Sequence, residues 1–160
     1  YCRACKKKYG VIGIMEILKP ENILLNMSFT SKEEAIEAVG NILLKEGYVS
    51  QKYVELMQER ERLVSTYVGN HVAAPHGINH SDSEIFHSGI SVVQVPQGVS
   101  FEDEEDDRVY LLFGIARKNN THIELLSNIA VVFSEEENVF QIKDAKTKEE
   151  ILEFLKESFS

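Results

Sequence analysis

Arg108-Val109-Tyr110-Leu111-Leu112-Phe113-Gly114-Ile115-Ala116 is an almost unbroken run of β-branched, aromatic and aliphatic residues. A run this apolar and this short reads as a sheet strand, and it falls well below the ~20 residues that a helix needs to span a bilayer. Gly89-Ile90-Ser91-Val92-Val93-Gln94-Val95 has the same character and is ended by Pro96 and the Gln97-Gly98 turn. The two runs read as neighbouring strands of one sheet. Helical patterns surround them. Ser31-Lys32-Glu33-Glu34 is a capping box, behind which Ala35, Ile36, Val39, Ile42 and Leu43 recur at helical spacing until Gly47. A second helix, from about Gln51 to Leu63, is expected to bury Val54, Met57 and the stem of Arg60 and to carry Arg60 toward His76. Asn120 is a suitable cap for a third, with Ile123, Leu126, Ile129, Ala130 and Phe133 as its buried stripe and His122 in its first turn. Thr147-Lys148-Glu149-Glu150 is another capping box, opening a last helix that buries Ile151, Phe154 and Leu155. The sum is α/β: a single three-layer domain, a mixed central β-sheet with helices on both faces.

Composition bounds what such a domain does. The chain has 160 residues, 43% of them hydrophobic and 27% charged, which suits one globular domain with a substantial core. A formal net charge of −9 disfavours nucleic acid and anionic membranes as partners and suits a basic protein. No charged-then-apolar signal opens the chain, so a cytoplasmic location without membrane insertion is expected. Cys2-Arg3-Ala4-Cys5 has the spacing of a metal knuckle or a redox pair. With no further cysteine to complete a zinc site, the pair reads as two adventitious thiols in a terminal tail. The acidic hexad Glu102-Asp103-Glu104-Glu105-Asp106-Asp107 does not match an EF-hand and reads as a solvated loop. His71, His76, His80 and Asp82 include zinc-compatible ligand types, but their spacing is not that of ligands on one helix, and no metal is expected.

Ala73-Ala74-Pro75-His76-Gly77 presents one imidazole on a stiff turn. Pro75 restricts Ala74 to an extended conformation, and Gly77 removes a side chain beside the ring, so another molecule's atoms can come close to His76. A neutral imidazole with one nitrogen available to attack, and the other holding its proton against a fixed acceptor, is a competent nucleophile near neutral pH. The protein's further contribution to such chemistry is positioning, together with cationic or hydrogen-bonding groups around the group attacked. Arg60 offers a planar, permanently charged fork, His122 a second imidazole, and Thr66 a hydroxyl in a weaker supporting role. The plainer alternative for Arg60 is a surface ion pair with Glu55 or Glu61.

These residues stand in an ordered series: Glu59-Arg60-Glu61-Arg62-Leu63, Ser65-Thr66-Tyr67-Val68-Gly69, Ala74-Pro75-His76-Gly77, Gly98-Val99-Ser100-Phe101 and Asn119-Asn120-Thr121-His122-Ile123. The series resembles the enzyme IIA domain of the mannitol/fructose class of the bacterial phosphoenolpyruvate-dependent sugar phosphotransferase system. The likeness runs from about Met15 to the C-terminus. It is greatest to the mannitol branch, through Gly98 to His122 with Gly114-Ile115-Ala116. Met15-Glu16-Ile17-Leu18 looks like the usual start of such a domain, so residues 1–14 are expected to be an N-terminal extension and 15–160 the phosphocarrier domain. The resemblance implies that His76 is the phosphorylated nucleophile, Arg60 the family's arginine and His122 its second active-site histidine. It implies a phosphotransferase component without a cofactor, one that takes a phosphoryl group from the histidine-containing phosphocarrier protein and passes it to a cysteine of enzyme IIB during uptake of mannitol or a related sugar. The alternative within the resemblance is a regulatory paralogue of the nitrogen-related type, whose phosphorylation state controls partner proteins. Asn70 departs from the pattern, standing where some mannitol-branch members are expected to have a carboxylate.

Overall fold

The computed structural model describes residues 18–78, 81–101, 108–118 and 121–159, with His122 described by its backbone alone. The Cys2/Cys5 pair, the 1–14 extension with its start at Met15, the acidic hexad 102–107, His80 and Asn120 lie outside the described residues. Strands β1 (Ile23–Leu24), β2 (Tyr67–Gly69), β3 (Val72–Ala73), β4 (Gly89–Ser100) and β5 (Arg108–Ala116) form one sheet in the order β1-β4-β5-β3-β2. β4 and β5 run antiparallel, as do β2 and β3, whereas β1 lies parallel to β4 and β3 parallel to β5. The sheet is therefore mixed, and the two long apolar runs are its central neighbours.

Alternation along these strands sends side chains to two separate cores. Ile90, Val92, Leu111, Phe113 and Ile115 pack with residues of α3 (His122–Val132), α4 (Glu136–Lys143) and α5 (Lys148–Phe159). Val93, Val95, Leu112 and Ala116 pack on the other face with residues of α1 (Lys32–Lys45) and α2 (Gln51–Leu63). Each fully buried Leu, Ile or Phe on either side contributes roughly 1.5–3 kcal/mol, so both faces are needed to hold the sheet. Helices on both faces of a mixed sheet make the three-layer α/β domain that the sequence leads one to expect.

The ends of α1 show how local chemistry sets its limits. Ser31 Oγ accepts from the Glu34 N–H at 3.3 Å, while the Glu34 carboxylate reaches back to the N–H and hydroxyl of Thr30, one residue before the cap. At the other end Tyr48 N–H donates to Leu43 and Gly47 N–H to Leu44, the paired bonds of a Schellman closure. α5 opens the same way, with Thr147 Oγ1 accepting from Glu150 N–H and the Glu150 carboxylate accepting from Lys146 N–H.

Two expectations need correction. β4 does not end at Pro96: it continues to Ser100 across a register shift between Gln94 and Val99. Proline is tolerated there because the ladder is already interrupted, and Gly98, at φ +80°, takes the left-handed conformation that the irregularity requires. In α2 a further polar residue near the C-terminus, Glu61, is buried at 5% exposed, beside the half-buried Arg60. In α3 the buried stripe is Leu125, Ile129 and Phe133, whereas Ile123 is 57% exposed and Leu126 and Ala130 are half-buried. The apolar residues of this segment fit two rotations of the helix, and the one that seats Leu125 on the sheet turns Ile123 outward. α3 opens behind Thr121, which is in the αR conformation and makes no side-chain capping bond, and the expected cap Asn120 lies outside the described residues. α4 is an addition to the expected elements: it buries only Val139 and Ile142 and so leaves a faint apolar period.

Candidate active site

His76 lies just past β3 and extends its register, pairing with Ile115 as Val72 pairs with Leu111 and Ala73 with Leu112. It is 7% exposed. Its Nδ1 stands 2.9 Å from the Ala74 carbonyl oxygen. A carbonyl only accepts, so in the neutral ring Nδ1 carries the proton and Nε2 the lone pair. A proline at position 75 disfavours the helical region for Ala74, the residue whose carbonyl faces the ring.

The backbone on either side of His76 is tied to one residue of β5. Ile115 N–H donates to the Pro75 carbonyl at 2.9 Å. The Tyr53 hydroxyl donates to the Ile115 carbonyl at 2.7 Å and accepts from Gly77 N–H at 2.9 Å. Tyr53 thus joins α2, β5 and the histidine turn through one oxygen. Burial pushes its phenol up to about 12, with the Asp82 charge adding to the rise and the Gly77 N–H opposing it. The hydroxyl is therefore a neutral donor at any physiological pH. A Cβ on Gly77 would sit 2.5 Å from the Tyr53 ring and 2.9 Å from Ser81 Oγ, so only glycine permits this approach.

The Ala74 that holds the ring is itself held. Its N–H donates to the Thr66 carbonyl at 3.0 Å. Thr66 is in turn fixed by Glu61, whose carboxylate accepts from the Thr66 N–H at 2.7 Å and from its hydroxyl at 2.6 Å. Ser65 Oγ donates to the other carboxylate oxygen at 2.7 Å, and Lys32 Nζ stands 3.5 Å from it. The Thr66 hydroxyl is committed to Glu61, and Thr66 meets the site through its main chain.

Arg60, next to Glu61 in the last turn of α2, donates through Nη1 to the carbonyl of Val64, in the same segment that leads to Thr66. It forms neither of the ion pairs that were its plainer reading: Glu55 pairs with Lys52 and Glu61 with Lys32. His122 opens α3 a short loop beyond the C-terminal end of β5, the strand that pairs with His76, and its side chain is not among those described. Loops at the C-terminal ends of parallel strands are where α/β sheets collect ligand sites, and β3 and β5 are parallel.

Of the other histidines, His71 and His87 are described and lie elsewhere. His71 is at the opposite end of β3, in the β2–β3 turn, with Nδ1 2.7 Å from the Arg108 carbonyl. His87 is exposed. Among the described residues no group of three or more His, Cys, Asp or Glu is placed to hold a metal ion, and no helix is long and apolar enough to cross a membrane. Asn70 also lies at the far end of β3, where its amide donates to the Phe133 carbonyl at 2.7 Å. A carboxylate has no proton to give there, so asparagine fits this position for a structural reason.

Sequence reasoning gave Tyr53 and Glu61 no place in the site. For Glu61 a signal was present: Val54, Met57 and Glu61 follow one another at the i, i+3, i+7 spacing of a buried face. Tyr53 on the same helix left no comparable mark, because an aromatic residue on an apolar face is ordinary core.

The likeness to known proteins covers the same residues. A mannitol-specific phosphotransferase enzyme IIA component of Geobacillus stearothermophilus is 51% identical over 143 residues, 89% of this chain and 97% of that protein. The crystal structure of IIA mannitol from Escherichia coli superposes with a TM-score of 0.82 at 38% identity, covering 86% of this chain and 98% of that one. A complex of enzyme IIAMTL with phosphorylated enzyme IIBMTL, also from Escherichia coli, matches with a TM-score of 0.83 at 36% identity, over 88% and 97% of the respective chains. The model of the family described as "Phosphoenolpyruvate-dependent sugar phosphotransferase system, EIIA 2" matches residues 16–158, and the chain belongs to that family.

Proposed function

We propose that this chain is a cytoplasmic phosphocarrier for the uptake of mannitol or a closely related sugar, with His76 as its phosphorylation site. The observation that carries the reading is the Nδ1 contact of His76 with the Ala74 carbonyl, which assigns the lone pair to Nε2. In the first step Nε2 attacks the phosphorus of the phosphohistidine on the histidine-containing phosphocarrier protein. The bond from phosphorus to the donor ring breaks, and its electron pair returns to that ring. In the second, a cysteine thiolate of enzyme IIB attacks the same phosphorus, and the electron pair of the N–P bond returns to His76. Arg60 and His122 stabilise the charge on the transferring oxygens. The mannitol assignment is supported by the 51% identity to the Geobacillus stearothermophilus component, and the IIB partner by the Escherichia coli complex.

Both partners reach the same histidine, so they dock in turn on one face. Exposed apolar residues stand at the elements that lead to it: Leu63 and Val64, 64% and 65% exposed, follow Arg60, and Ile123, 57% exposed, follows His122. Such side chains suit brief, partly apolar contacts around a transferring group.

Incubation with phosphoenolpyruvate, enzyme I and the phosphocarrier protein tests this by intact mass. The expected result is an acid-labile gain of one phosphoryl group, absent from His76→Ala. Arg60→Ala is expected to slow uptake more than His122→Ala, because it removes a fixed charge from the transition state. No gain in the wild-type chain, with partners active on a control, would overturn the assignment. Phosphorylation without transfer to a mannitol-type enzyme IIB would move the chain to the regulatory class.

A further inference from the structure

We propose that Arg117 is a second phosphoryl-binding guanidinium of this site. The inference rests on His76 being the phosphoryl acceptor, and two independent observations lead to it. The first is register. β3 and β5 pair as Val72 with Leu111 and Ala73 with Leu112, and the His76–Ile115 bridge keeps the same offset. Val72, Ala74, Leu111, Phe113 and Ile115 all belong to one core, on the α3 face of the sheet. Alternation carried past the strand ends puts His76 on that face beside Ile115, and Arg117 on it two positions further along. At about 3.3 Å per residue the Arg117 backbone lies roughly 7 Å beyond that of Ile115. An arginine side chain covers a comparable distance.

The second observation is an unmatched donor. Arg117 Nε is buried and has no hydrogen-bond partner among the described residues. No carboxylate among them forms an ion pair with Arg117 either. A buried cationic N–H without an acceptor is unfavourable, and native proteins rarely keep one without a reason. A phosphoryl group on Nε2 of His76 brings three acceptor oxygens and the opposite charge to this end of the sheet. The unmatched state then belongs to the unphosphorylated protein, and the phosphorylated protein supplies the acceptor. Arg60 belongs to α2 and Arg117 follows the end of β5, so the two guanidinium groups are carried by different elements.

The test uses the full chain and its Arg117→Gln and Arg117→Lys variants, phosphorylated by the carrier system and followed by intact mass and 31P NMR. In Arg117→Gln, uptake is expected to slow by about tenfold or more. The pH at which the phosphohistidine 31P signal titrates should rise, because a cation that favoured the dianion has gone. Arg117→Lys should recover part of both effects. A purely structural role would lower the melting temperature without moving the 31P titration. Should Arg117→Gln not fold, Arg117→Met, which keeps the apolar stem, serves for the same comparison. Wild-type phosphorylation with unchanged rates and titrations in the variants overturns the role of Arg117 alone. Absence of phosphorylation in the wild type overturns the phosphocarrier reading, and this inference with it.

Discussion

On the two carboxylate oxygens of Glu61 converge Lys32 Nζ, Ser65 Oγ, Thr66 N–H and the Thr66 hydroxyl, at a position only 5% exposed. Every lone pair faces a donor. Glu61→Gln turns an NH2 group toward one of these donor pairs, so at least one buried donor loses its acceptor. The cost is about 1–3 kcal/mol. For a domain of this size that lowers the melting temperature by roughly 2–4 °C per kcal/mol, measurable by calorimetry. Because the Thr66 carbonyl receives the Ala74 N–H, and the Ala74 carbonyl holds the His76 ring, the loss travels along the chain. Phosphoryl uptake in the variant is expected to slow even at temperatures where it is fully folded. A lowered melting temperature with wild-type uptake would separate Glu61 from the site.

The β2–β3 hairpin is an element whose turn does two jobs. Asn70 and His71 have φ of 53° and 70°, the doubly left-handed pair that suits the twist of a tight hairpin, and asparagine adopts it with little strain. The Asn70 amide also donates to the Phe133 carbonyl at the C-terminal end of α3, where unsatisfied carbonyls make the helix end negative. Asn70→Asp keeps the turn preference but sets a charged acceptor against those carbonyls. It should cost about 1–3 kcal/mol in urea unfolding and leave the proposed phosphoryl uptake at His76 unchanged, since the two ends of β3 are different places. Loss of uptake at unchanged stability would give Asn70 a part in the active site. How much was legible also divides by element. α1 and α5 announce themselves because caps and apolar period agree, α2 through its apolar period alone, and β4 and β5 because they are long. β1, β2 and β3 span two or three residues each and carry no period, and only pairing with β4 or β5, or with each other, creates them. His76 is visible through Pro75 and Gly77, which constrain the turn locally. Tyr53 is not, because its role arises from Gly77 and Ile115, both distant in sequence.

Across the molecule, one sheet separates two cores, and Tyr53 belongs to the α2 side while its hydroxyl bonds to both the β5 backbone and the histidine turn. Ionising it in the folded state requires a buried phenolate facing a carbonyl oxygen. Its pKa is accordingly raised to about 12, against ~10 for an unfolded tyrosine. The folded state therefore holds this proton more tightly than the unfolded state. Stability linked to it is fully present below pH ~10 and is lost as pH rises toward 12, by about 1.4 kcal/mol per unit. Tyr53→Phe has no such proton. Near pH 8 the variant should be less stable than wild type by about 1–3 kcal/mol, because Gly77 N–H and the Ile115 carbonyl lose their shared partner. Above pH 10 the other tyrosines and the lysines titrate alike in both proteins, so their effects cancel in the difference. Denaturant unfolding from pH 8 to 11.5 should then show the wild-type advantage narrowing steadily once pH passes 10. Two parallel stability curves would mean that the Tyr53 hydroxyl is not the buried, doubly bonded group on which the His76 turn rests.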